Sequence, residues 1–131
     1  MAVSAEYKAF VLELLEPLGP VRIRAMFGAG GVYYDKLMFG LIVDETLYLK
    51  ADEINRPDFE AENKGPFVYE PQSGKLIGRQ IAMPYWEVPE HLYDEPDELL
   101  RWARGALDAA FRAERAKSPK RKKKPAKAER R

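Results

Sequence analysis

Between Val21 and Lys50 the chain alternates short β-like runs with links too short for anything but antiparallel pairing. Val21 to Phe27 alternates Val21, Ile23 and Ala25 against Arg22, Arg24 and Met26, and Val32–Tyr34, Met38–Val43 and Thr46–Lys50 are rich in β-branched and aromatic residues. Asp35-Lys36 and Asp44-Glu45 stand where hairpin turns belong. A parallel crossover needs a dozen or more residues, so these runs form a meander. Neither pair holds the glycine that the favoured primed turns prefer, which leaves the turn type open.

Helices flank this run. Tyr7, Phe10, Val11, Leu14, Leu15 and Leu18 recur at three- and four-residue spacing, which predicts an amphipathic helix over Ser4–Leu18 with Ser4 as N-cap and Gly19-Pro20 as its stop. Ile54–Asn63 reads as a short helix with Pro57 in its first turn, followed by strands at Phe67–Glu70 and Ile81–Val88. Pro84 cannot donate to a ladder, so the last strand is expected to be an edge or to be bulged there. Asp94 is the expected N-cap of a helix to about Glu114, with Leu99, Trp102, Ala103, Ala106, Leu107, Ala110 and Phe111 on its apolar face. The expected architecture is α+β: one antiparallel sheet with flanking helices, in two layers.

The charge is split along the chain. Residues 116–131 hold nine of the 22 Lys and Arg and one of the 21 Asp and Glu, a net +8 against −7 for residues 1–115. No large apolar residue occurs beyond Ala116, so a folded domain over 1–115 and a basic, disordered tail over 116–131 are expected. Lys117, Lys120, Arg121, Lys122, Lys123, Lys124 and Lys127 are the residues for non-specific contact with DNA or RNA, since each cation on a phosphate releases counterion. The chain has no cysteine, which excludes disulfides and thiolate chemistry. No signal-like segment or membrane span is seen, so a cytoplasmic protein without membrane contact is expected.

Catalytic patterns are weak. Gly28-Ala29-Gly30-Gly31 precedes a strand rather than a helix and lacks a following Lys-Ser/Thr, so it reads as a connection, not a phosphate loop. His91, the single histidine, reads as a solvated loop residue. The acids of Glu60–Glu62 and Asp94–Glu98 read as surface and helix-terminus charge. Neither a cofactor nor a metal is expected, and the chain is read as a non-enzyme. Arg22, Arg24, Lys36 and Lys50, with Tyr33, Tyr34, Tyr48, Tyr69 and Tyr85, offer an aromatic–basic sheet face. Tyr85-Trp86 is expected to anchor the core against Trp102. A pocket lined by Tyr33, Tyr48 and Trp86, in a groove between sheet and helices, would mark the alternative, a small-molecule or peptide-binding module. A homodimer covering a sheet edge is also expected.

Three segments carry a resemblance: Arg24-Ala25-Met26-Phe27-Gly28 continuing to Gly31-Val32-Tyr33; Met38-Phe39-Gly40-Leu41-Ile42 with Leu47–Asp52; and Met83-Pro84-Tyr85-Trp86-Glu87-Val88-Pro89. In this order they resemble the N-terminal domain of the TfoX/Sxy family, over roughly residues 5–112. The resemblance implies an α+β domain linked to regulation of natural competence. In better-known members a second domain follows and the protein is a transcriptional co-activator with a protein partner; here the following residues are lysine-rich. The resemblance carries no catalytic residue. It marks Met26, Phe27, Gly28, Gly31, Tyr33, Phe39, Tyr48, Tyr85 and Trp86 as structural, and Arg22, Arg24 and Lys50 are possible surface contacts.

Overall fold

The computed structural model describes residues 3–26 and 28–126, with side chains described as far as Lys117. Helix α1 (Ala5–Leu15) continues into a 3-10 turn at Glu16–Leu18 and is capped by Ser4, whose Oγ accepts from the Tyr7 N–H at 3.1 Å. Strands β1 (Val21–Met26), β2 (Ala29–Tyr34), β3 (Leu37–Val43) and β4 (Thr46–Lys50) form the expected meander. Helix α2 (Arg56–Ala61), β5 (Pro66–Tyr69), β6 (Ile81–Glu87), a 3-10 turn at Glu90–Asp94 and α3 (Pro96–Ala126) complete it. All pairings are antiparallel in the order β1-β2-β3-β4-β6-β5.

The β3–β4 turn resolves the open question of type. Asp44 and Glu45 both take positive φ, 50° and 56°, so the two central residues adopt the primed-turn backbone without glycine. Asp likewise holds φ 55° at Asp35. Primed turns match the strand twist, and Asp35 and Asp44 are of a type that tolerates the left-handed backbone.

The sequence reading needs three adjustments, and one of its alternatives is decided. Gly30 and Gly31 lie inside β2, and the break between β1 and β2 narrows to Phe27 and Gly28, of which Gly28 has φ 80° and Phe27 lies outside the described residues. Strand β6 is interior, flanked by β4 and β5, so of the two expectations for Pro84 the bulge holds and the edge does not. The proline is accommodated by the register shift opposite β5 between Pro66 and Val68, and its carbonyl still accepts from the Ala51 N–H at 3.0 Å. Helix α3 starts at Pro96, so Glu95, not Asp94, flanks it, and the Glu95 carbonyl accepts from the Leu99 N–H at 2.9 Å. Finally, α3 runs to Ala126, past the helix end expected near Glu114. Arg115, Ala116 and Lys117 are good helix formers, and the packed first half of α3 supplies the costly nucleus for them. Ala116 and Lys117 are exposed; the side chains of Lys120, Arg121, Lys122, Lys123 and Lys124, and all of Lys127, lie outside the described residues.

The helices cover one side of the sheet. Val11 and Leu15 of α1, Phe59 of α2, and Leu99, Ala103, Ala106 and Ala110 of α3 meet Val32, Phe39, Ile42, Leu47 and Leu49. Each large side chain so buried contributes about 1.5–3 kcal/mol. The alanines of α3 let it lie close to β3 and β4. Phe10 and Phe111, expected on apolar faces, are 40% and 39% exposed; Phe10 packs on the Tyr7 and Tyr93 rings.

Candidate functional site

The side of the sheet that carries no helix is built by the register of its strands. Arg22 pairs with Tyr33, Arg24 with Gly31, Gly31 with Leu41, Leu41 with Tyr48, Tyr48 with Glu87 and Lys50 with Tyr85, so all of these share one face. Leu49 and Trp86, paired between them, point to the core. The six strands contain three cations, Arg22, Arg24 and Lys50, and one carboxylate, Glu87. All four lie on this face, and Glu87 is held by Lys64 at 3.9 Å.

Each of the three cations lies over a tyrosine. The Arg22 and Arg24 guanidinium carbons sit 5.5 and 5.7 Å from the Tyr33 ring centre, and Lys50 Nζ is 5.3 Å from that of Tyr85. Arg22 Nη2 also donates to the Asp35 carbonyl at 3.2 Å. Gly31 has no side chain for a steric reason: a Cβ there would meet Tyr33 Cε1 at 2.9 Å and Met26 Sδ at 3.0 Å. The Tyr33 ring and the Met26 thioether therefore use the space that Gly31 leaves.

Further along, Tyr48 meets Phe67 edge to face at 5.4 Å. Burial, then the Glu87 and Asp44 carboxylates, raise the Tyr48 phenol pKa. Tyr85 is 7% exposed, its hydroxyl reaches the Met38 carbonyl at 3.5 Å, and burial pushes its phenol up to about 12. Burial, and then the charge of Lys117, lower the Lys50 ammonium pKa, with Asp52 opposing. The first cation of the basic run thus stands within electrostatic reach of the sheet face.

A polar clamp fixes the end of β4 beside Lys50. Asn55 Nδ2 donates to the Lys50 carbonyl at 2.9 Å, and Asn55 Oδ1 accepts from the Asp52 N–H at 2.7 Å. Asp52 accepts from the Ile54 N–H at 3.0 Å and takes the Arg112 guanidinium in a two-point contact, 2.7 and 2.9 Å. Arg112, and secondarily the backbone N–H groups, hold the Asp52 carboxyl below the usual carboxylate range.

Of the residues singled out from sequence, the structure gathers Arg22, Arg24, Lys50, Tyr33, Tyr48, Tyr85, Gly31 and Met26 on one face. Phe39 and Trp86 belong to the core, where Trp86 reaches Trp102 through Phe59. A pocket of Tyr33, Tyr48 and Trp86 therefore does not form, because the sheet separates Trp86 from the tyrosines. A recess of about 220 Å³ lies instead between the β2–β3 turn and α3, lined by Tyr34, Asp35, Lys36, Leu37, Phe111 and Glu114. It is smaller than the usual ligand cavity. His91 is exposed but not solitary: Nδ1 lies 2.7 Å from Glu95 and Nε2 3.2 Å from Glu62, and these two carboxylates raise its pKa. No cluster of His, Asp and Glu fit for a metal ion occurs among the described residues, and no helix there is long and apolar enough to cross a membrane. Sequence reasoning missed Met38, Leu41 and Phe67 on the face and Asp52, Asn55 and Arg112 in the clamp. Strand alternation carried forward from the two hairpin turns is a signal for Leu41; nothing in the sequence pairs Asp52 with a residue as distant as Arg112.

The TfoX N-terminal domain model matches residues 13–110. The chain is 31% identical over 100 residues to Protein Sxy of Escherichia coli (strain K12), covering 76% of this chain and 46% of Sxy. It is 32% identical over 111 residues to an uncharacterized 12.7 kDa protein in the trpE 5′ region of Spirochaeta aurantia, covering 83% of this chain and 87% of that one. The chain thus spans about half the length of Sxy and most of the length of the second relative.

Proposed function

The chain belongs to the TfoX N-terminal domain family, and from that premise we propose that it is a non-enzymatic regulatory domain, a transcriptional co-regulator of the competence type that works through protein contact and a non-specific grip on nucleic acid. The observation that carries this reading is the charge split: an acidic folded part joined to a run of nine cations that begins at Lys117.

The test is fluorescence anisotropy of a labelled duplex, titrated with the full chain and with a chain ending at Arg115, which keeps the core through Ala110 and the Arg112 contact. Six to ten phosphate contacts cost about 10³–10⁵ in affinity between 50 and 200 mM salt. A steep salt dependence in the full chain, lost with the truncation, is the expected result. Equal binding by both chains, or none by either, removes the basic run from the function.

A further inference from the structure

The helix-free face and the basic run differ in what they offer a polyanion. The run offers charge alone. The face offers charge laid on aromatic rings, and it does so in a domain that is otherwise acidic. Strand cations occur on this face alone, while the helical layer mixes exposed acids such as Glu13, Asp58 and Asp108 with exposed Arg101, Arg104 and Arg115. Arg22 and Arg24 are exposed, and both guanidinium groups lie against the Tyr33 ring. Planar guanidinium groups, like aromatic rings, are surfaces on which unpaired bases stack.

We propose that the helix-free face of the sheet is a binding site for single-stranded nucleic acid, with Arg22, Arg24 and Lys50 meeting phosphates and the Tyr33 and Tyr48 rings supporting bases. Charge complementarity selects an anionic occupant. The spacing selects an extended one: β1 and β4 are three strands apart, about 14 Å at ordinary strand separation, so no single phosphate spans Arg24 and Lys50. The pairing of each cation with a ring favours a strand carrying flat bases over an acidic peptide, which brings charge without a stacking partner. A duplex keeps its bases stacked inside and cannot use the rings. The Asp52–Asn55 clamp holds the Lys50 backbone in place, so that part of the face is formed before binding.

This site deepens the nucleic-acid half of the function proposed above and fails separately from it. The experiment titrates the full chain, and the full chain carrying R22A and R24A together, against a labelled thymidine 12-mer and a duplex of equal length at several salt concentrations. Both arginines are exposed on an edge strand, so the variant folds, and its melting curve checks this. The expected result is a preference of the parent chain for the single strand. In the variant, single-strand affinity falls roughly fivefold or more and its log–log salt slope drops by about 1.4, two contacts at about 0.7 each, with duplex affinity changed less. A duplex bound as tightly as the single strand, or equal loss on both ligands, overturns the site and leaves the basic run as the binder. Displacement of the 12-mer by polyglutamate at matched charge overturns it too, because the face then reads charge alone. Salt-sensitive duplex binding that persists in the variant upholds the basic run whatever the face does.

Discussion

Replacing Asp52 by Asn tests the clamp that joins the end of β4 to α3. The substitution removes the charge facing Arg112 but leaves an oxygen for the Ile54 N–H. Asp52 and Arg112 are about a third exposed, 27% and 30%, which places their pair at the upper end of the range for solvent-screened contacts. Its two-point geometry adds directionality. The expected loss is about 1 kcal/mol, or about 4 °C in Tm for a domain of this size. Asp52→Ala also strips the backbone N–H groups of their acceptor, and about 2 kcal/mol in total is expected. The sign with pH follows from the depressed Asp52 pKa. The folded state binds the proton less readily than the unfolded chain, whose value is 3.8, so the contribution is complete well above that value and is lost as pH falls through the lower folded value. Urea denaturation followed by tryptophan fluorescence at pH 7 and pH 3 measures it for parent and D52N. The gap between them should be full at pH 7 and narrower at pH 3. A gap that is absent at pH 7, or equal at both, refutes the assignment of the clamp to this ion pair.

Two further outcomes follow from the core and from His91. Phe59 is 1% exposed and meets the Trp102 ring edge to face at 4.9 Å, so Phe59→Ala should cost about 3–5 kcal/mol in the same denaturation experiment; a loss below about 1 kcal/mol would show that the site collapses around the cavity. His91 should titrate by NMR above its ordinary 6.5, because Glu95 and Glu62 favour the imidazolium. Its raised pKa means that stability lost in H91Q is present below about pH 6.5 and disappears as pH rises through the folded value; a midpoint at or below 6.5 would show that the two carboxylates do not hold it.

The meander was legible because local chemistry settles it. Asp35-Lys36 and Asp44-Glu45 leave no room for a crossover, and the apolar spacing of Tyr7 to Leu18 admits a helix and little else. The position of β6 was not legible. Insertion between β4 and β5 is decided by burial of Trp86 and Val88 against Phe59 and α3, not by the residues around Pro84. The alternation in β3 also misleads past Phe39: the register slips between Val32 and Tyr33, so Phe39 and Gly40 are both buried in succession. The aromatic–basic face was half legible. Arg22 and Arg24 share a parity within β1, but their meeting with Tyr33 depends on the β1–β2 register, and the membership of Lys50 and Tyr85 depends on the β4–β6 pairing. Tyr34, grouped with the other tyrosines by composition, is turned to the core side by that same register. Asp52 and Arg112 are 60 residues apart, beyond the reach of any local pattern.

The helix-free face is flat, and three of its four strand charges are cations, while the helices cover the opposite side. A body laid on that face leaves the helical layer in solvent, so a domain only two layers thick keeps a second surface that the first occupant does not cover.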